Sequence, residues 1–125
     1  MKTESIVNHF NVTHTWKAEE IKQIAVNINR QIKASDHMAC GTSEFICGEA
    51  DNMAYLRFKV NRPLRKRGLF KLFVFYDYGK DEYIVQLVKC NTRPTCEDDM
   101  MTIIDQKTGV YADNLSETIY RMCNN

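Results

Sequence analysis

From residue 53 the chain alternates, with Ala54, Leu56, Phe58 and Val60 falling on one side of an extended segment and Tyr55, Arg57 and Lys59 on the other. Successive side chains of a strand point to opposite faces, so this period of two predicts a strand buried on one face. The next apolar stretch, 69–78, is apolar on both faces, with Leu69, Phe73 and Phe75 on one and Phe70, Leu72, Val74 and Tyr76 on the other. Such a strand needs cover on both sides, which places it in the middle of a sheet. The connection 61–68 contains Pro63 and Gly68 and cannot continue a regular central strand. Gly79, Lys80 and Asp81 turn the chain into a third strand, 82–89, rich in the β-favouring Tyr83, Ile84, Val85 and Val88. Three consecutive strands with short connections make an antiparallel meander.

Helical periodicity flanks this block. In 16–34 the residues Ile21, Ile24, Ala25, Ile28 and Ile32 recur at three- and four-residue steps, predicting an amphipathic helix capped by Thr13 or Thr15. Near the C-terminus Leu115, Ile119 and Met122 share a helical face, with Asp113 as the expected cap. Turn-like letters occupy 35–37, 40–43 and 48–52, leaving a brief edge strand at 44–47. Pro94 and the acids of 97–99 mark an exposed loop, and a fourth strand, 100–104, is expected to end in a turn over 105–109. Residues 1–14 read as a loose arm or an extra strand. The fold class expected is α+β, an antiparallel meander sheet of four to five strands with an N-terminal and a C-terminal helix. At 125 residues and 44% apolar content, the chain is sized for a single domain over 1–125.

The first residues carry Glu4 and no unbroken apolar run, and no segment reaches the roughly 18 apolar residues of a membrane span. The expectation is therefore a protein of the cytoplasm with no membrane partner. Five cysteines are an odd number, and the spacings of Cys40, Cys47, Cys90, Cys96 and Cys123 match no common zinc or redox pattern, so they are expected to behave as small apolar residues. His9, His14 and His37 supply no paired metal ligands. With no glycine-rich phosphate loop before a helix, and Asp98 and Asp99 in a loop, the sequence points to no metal, no cofactor and no catalytic residue.

The least ordinary local feature is a run of charge. Arg57, Lys59, Arg62, Arg65, Lys66, Arg67 and Lys71 put seven cations into fifteen residues without one acid, in a chain of net charge +1. The compensating acids lie elsewhere, chiefly Asp77, Asp81, Glu82 and 97–99, so the molecule is expected to be electrically polarised. A cationic hairpin can hold phosphates or an acidic surface, and Tyr55, on the same strand face as Arg57 and Lys59, could stack on a base. The ordinary alternative is a solvated loop whose charges protect a sheet edge. Leu69, Phe73 and Phe75 face the side that two helices cannot cover, which predicts a homo-oligomer formed through them.

Taken in order, the isoleucine-rich helix, Phe45-Ile46, Leu56-Arg57-Phe58-Lys59, Asp81-Glu82-Tyr83-Ile84-Val85 and Gly109-Val110-Tyr111-Ala112-Asp113-Asn114-Leu115 resemble a family of short uncharacterised phage and prophage proteins. Residues 47–52 and 122–125 depart from that family's usual letters. The resemblance implies a viral accessory protein and brings no activity with it. The function expected is a non-enzymatic phage-type protein that binds and inhibits or sequesters a host protein or small anionic ligand in counter-defence. The alternative is a nucleic-acid-binding accessory protein using the basic hairpin 57–71. Replacing Arg65, Lys66 and Arg67 together by Ser should leave the thermal midpoint nearly unchanged, because exposed charges contribute little to folding, while weakening binding of an anionic partner. Equal partner affinity for the triple variant would reduce the loop to a solubility device.

Overall fold

A computed structural model describes residues 14–61, 68–90 and 101–124. Residues 1–13 of the expected N-terminal arm, Thr13 among them, and the loop 91–99 lie outside those residues. The described elements are α1 (Ala18–Gln31), α2 (Ala34–Cys40), β1 (Ser43–Ala50), β2 (Met53–Val60), β3 (Leu69–Asp77), β4 (Glu82–Cys90), β5 (Met101–Val110) and α3 (Leu115–Cys123). The strands form one five-stranded antiparallel sheet in the order β1-β2-β3-β4-β5, so the α+β meander is as expected, with β3 at its centre. Among the described residues, no helix is long and apolar enough to cross a membrane.

The register assigns the faces. Pairs Ala54 with Tyr76, Leu56 with Val74, Phe58 with Leu72 and Val60 with Phe70 put the period-two apolar set of β2 beside that of β3. These residues pack with Val85 and Leu87 of β4 against Ala25, Ile28 and Ile32 of the first helical segment and Leu115, Ile119 and Met122 of α3. Phe58, Phe70, Leu72, Ile28, Leu115 and Ile119 are fully buried there, and burial of each such side chain is worth about 1.5–3 kcal/mol. The three described helices share this one core; among the described residues the other sheet face carries no helix.

Five local expectations are corrected. The first helix begins at Ala18, and its cap is neither Thr13 nor Thr15: Glu20 reaches back to accept the Lys17 backbone N–H at 3.1 Å. The turn-like letters 35–37 lie inside a helix, α2, which ends at Gly41 in the left-handed region (φ 62°), with Gly41 and Thr42 N–H donating to Met38 and His37 carbonyls. A Cβ at Gly41 would run into the Asn61 side chain, so glycine is required there twice over. The strand expected at 44–47 extends over Ser43–Ala50, and the turn after it is only Asp51-Asn52, both at positive φ as a two-residue hairpin demands. Residues 105–109 continue β5 where a turn was expected. That strand follows β4 through two register irregularities, which break the period of two, and Gly109 (φ 64°) is pinned by donating its N–H to Glu82 Oε2 at 2.8 Å. α3 is capped at Asn114 in place of Asp113, and Asn114 Oδ1 accepts the Tyr111 N–H at 2.7 Å.

Such a short helix as α2 has little stability of its own and is fastened by tertiary bonds. The Lys33 N–H donates to Ser116 Oγ at 2.9 Å, and the Ser116 hydroxyl donates to Asp36 Oδ2 at 2.5 Å, tying α2 to α3 across 80 residues of chain. Ser116 is the one buried polar side chain among the described residues. Ser116→Ala leaves a helix-start N–H and a carboxylate oxygen unserved and should cost about 1–3 kcal/mol in chemical denaturation, with an unchanged denaturant slope.

His37 of α2 is half-buried against Phe45 and Phe58, with Nδ1 2.7 Å from Thr42 Oγ1. Burial holds its pKa below the ordinary histidine value, against the opposing pulls of the Asn29 backbone and of Asp36. The unfolded chain then binds the proton more readily than the folded one. The contribution to stability is complete above about pH 6.5 and is lost as pH falls through the lower folded value. Stability measured from pH 7.5 to 5 should fall less steeply in His37→Gln than in the parent chain.

Candidate functional site

The sheet face away from the helices is made of the alternate residues of each strand. On β2 these are Met53, Tyr55, Arg57 and Lys59; on β3, Leu69, Lys71, Phe73 and Phe75; on β4, Ile84, Gln86 and Val88. The strand pairing therefore brings together Tyr55, Arg57, Lys59 and Lys71 of the cationic run, along with Leu69, Phe73 and Phe75 of the expected oligomer face. Arg62, Arg65, Lys66 and Arg67 lie outside the described residues.

The two halves of this face differ in chemistry. Toward the β1–β2 turn, Phe73 and Phe75 lie parallel with centroids 5.6 Å apart, and Tyr55 leans on both at 5.4 and 5.6 Å. Tyr55 also covers Gly48 of β1, where even a Cβ would collide with its ring. Met53, Ala50, Ile84, Val88 and Met101 complete the cluster. As a result Phe73 and Phe75 are each only 9% exposed. The cover that their apolar character demands comes largely from the chain's own side chains, and the tyrosine expected to stack on a base is occupied by intramolecular packing.

At the other end of the strands the face is cationic. Lys59 pairs directly with Lys71, and Arg57 is opposite Phe73, with its guanidinium carbon 6.0 Å from the ring centroid. Like charges directly opposite across antiparallel strands destabilise the pair. Among the described residues one acid answers them: Glu44, held at φ 56° beside the irregularity that separates Ser43 from Ile46, sits 3.8 Å from Lys59. Both partners are substantially exposed, so this bridge contributes only about 0–1 kcal/mol. Arg57 Nε is buried and has no hydrogen-bond partner among the described residues, an arrangement that costs stability until an acceptor arrives. A crevice of about 20 Å³ opens between Glu44, Ile46, Arg57, Lys59 and Lys71. Glu44 carries no signal in the sequence, because its role comes from a left-handed backbone that only the β1–β2 pairing imposes.

Elsewhere, a depression of about 350 Å³ between β5 and α3 is lined by Asp105, Lys107, Thr118 and Arg121, of both charge signs, and so selects for neither. No cluster of three His, Cys, Asp or Glu side chains able to hold a metal occurs among the described residues. No protein-family model matches the chain, and no curated protein or solved structure does either.

Proposed function

We propose that this chain is a non-catalytic binding protein that takes up a phosphate-bearing ligand at the Arg57, Lys59 and Lys71 end of its open sheet face. The observation that supports it is the direct pairing of Lys59 with Lys71 beside a buried Arg57 Nε that has no hydrogen-bond partner among the described residues. A fold bears such a local excess of positive charge at a cost, and an anion seated between the three side chains removes that cost. The aromatic cluster next to them is closed on itself, so the group recognised is the phosphate and not a base. In the phage-type setting that the sequence resembles, such a protein would act by sequestering its ligand from the host.

Fluorescently labelled single-stranded oligonucleotide and a labelled mononucleotide are the probes. The double variant Lys59→Ser, Lys71→Ser should bind at least about tenfold more weakly, a loss of about 1.4 kcal/mol, while its thermal midpoint stays level or rises. For the oligonucleotide, a plot of log affinity against log salt should fall with a slope of about −2 from these three cations alone. Tight mononucleotide binding with a shallow salt slope identifies a small ligand; a steep slope with the oligonucleotide alone identifies a nucleic-acid strand. Unchanged affinity in the double variant, or no binding of either probe by the parent chain, overturns the assignment.

A further inference from the structure

At the opposite end of the strands from the paired lysines, the residues leading into α1 pack against the β3–β4 hairpin and border an open pocket of about 270 Å³. Its walls are His14, Trp16, Tyr76 and Tyr78, with Glu20, Gln23 and Ile24 from α1. Among the described residues no lysine or arginine lines it. The rings are set in crossed planes: His14 stacks on Tyr78 at 4.2 Å and 20°, while Trp16 stands at 72° to His14, 72° to Tyr76 and 89° to Tyr78. Faces of several π systems thus border one small space.

Two of the walls are held from behind. The indole N–H of Trp16 donates to the Asn52 carbonyl at 2.8 Å, in the turn between β1 and β2, and the Tyr76 hydroxyl donates to Asp81 Oδ1 at 2.5 Å. Burial, reinforced by Asp81, pushes the Tyr76 phenol well above its ordinary pKa, so it stays neutral. Glu20 spends one oxygen on the Lys17 backbone N–H and turns the other toward His14 Nε2 at 3.3 Å. The backbone bond lowers its pKa, so the carboxylate is ionised at neutral pH. The positive end of α1 is offset by Glu19 and Glu20 in its first turn. With the polar edges of Trp16 and Tyr76 bonded elsewhere, the ring set offers π faces beside the Glu20 carboxylate, one oxygen of which faces His14.

We infer that this aromatic cage is a second binding site, independent of the cationic face, and that it takes an alkylated ammonium group such as choline or trimethyllysine. Ring faces attract a cation electrostatically, with tryptophan the strongest of the side chains. A primary ammonium is compact and strongly hydrated, so entering an apolar box costs it much; alkylation lowers that hydration while keeping the charge. An anion or a phosphate is repelled by the same walls. The preformed, internally bonded rings reduce the ordering cost of binding.

Trp16 is the only tryptophan of the chain, so its fluorescence reports the site without labelling. Choline, a trimethyllysine peptide, the matching unmodified-lysine peptide and 3,3-dimethylbutanol, the neutral isostere of choline, are titrated into the full chain. A saturable change with choline or the trimethylated peptide is expected, at least about fivefold tighter than with the neutral isostere or the unmodified lysine. The tighter of the two cations names the source. Tyr78→Ala, at an exposed rim position, should weaken binding about tenfold without moving the thermal midpoint, and Glu20→Gln, which keeps the helix cap, about threefold. A merely structural role for the rings would shift stability and leave no ligand response. Absence of saturation by either cation up to about 10 mM, or equal affinity for the neutral isostere, overturns the inference.

Discussion

The pairing of Phe58 with Leu72, and with it of Arg57 with Phe73, sets where every other part of the molecule can go. Because side chains alternate with a period of two, sliding β2 by one residue against β3 would turn Ala54, Leu56, Phe58 and Val60 to the open face and drive Tyr55, Arg57 and Lys59 under the helices. Burying those two charges without partners would cost several kcal/mol each, so the register is held by what cannot be buried as much as by what must be. The helices then have one place to dock. α1 and α3 lay Ile28, Ile32, Leu115 and Ile119 onto the same apolar ladder.

That docking leaves a face without a helical layer, and the chain answers with side chains. Tyr55 folds over the glycine of the neighbouring strand and against two phenylalanines, and Arg57 sets its guanidinium near the Phe73 ring. Amphipathic side chains can screen apolar area while keeping their polar ends wet. The face is thereby apolar and largely closed toward one end, cationic and open toward the other. Ile46 and Ile103 remain half exposed at its margins, in keeping with the scattered apolar surface of ordinary proteins.

Charge follows the strand direction. The turns β1–β2 and β3–β4 collect Asp51, Asp77 and Asp81 at the end where the aromatic cage lies, while Lys59 and Lys71 stand at the far end of the same strands. Among the described residues the charge is thus separated along the strands, and each proposed ligand is matched to its own end: phosphate to the paired lysines, alkylated ammonium to the cage and its carboxylate. The cage is walled by α1, the residues leading into it and the β3–β4 hairpin, and the cationic end by β1, β2 and β3, so the two sites share no side chain.

The period of two over 53–60, the doubly apolar stretch 69–77 and the isoleucine spacing of α1 were legible without coordinates, because they are local consequences of burial on one face or both. The amino-acid order by itself therefore determined the meander, its central strand and the cationic run. Tertiary structure decided the rest. α2 exists because Ser116, 80 residues away, serves its first turn; β5 exists because its polar, irregular letters have β4 to pair with; and Glu44 faces Lys59 because β1 pairs with β2 through a left-handed residue. The cage is the clearest case. His14, Trp16, Tyr76 and Tyr78 stand some sixty residues apart in two pairs of unremarkable letters, and nothing local relates them. They meet because α1 must lie along the sheet to bury Ile28, which carries the residues before it onto the β3–β4 turn. A site assembled from distant segments is specified by packing, and packing is a property of the whole chain.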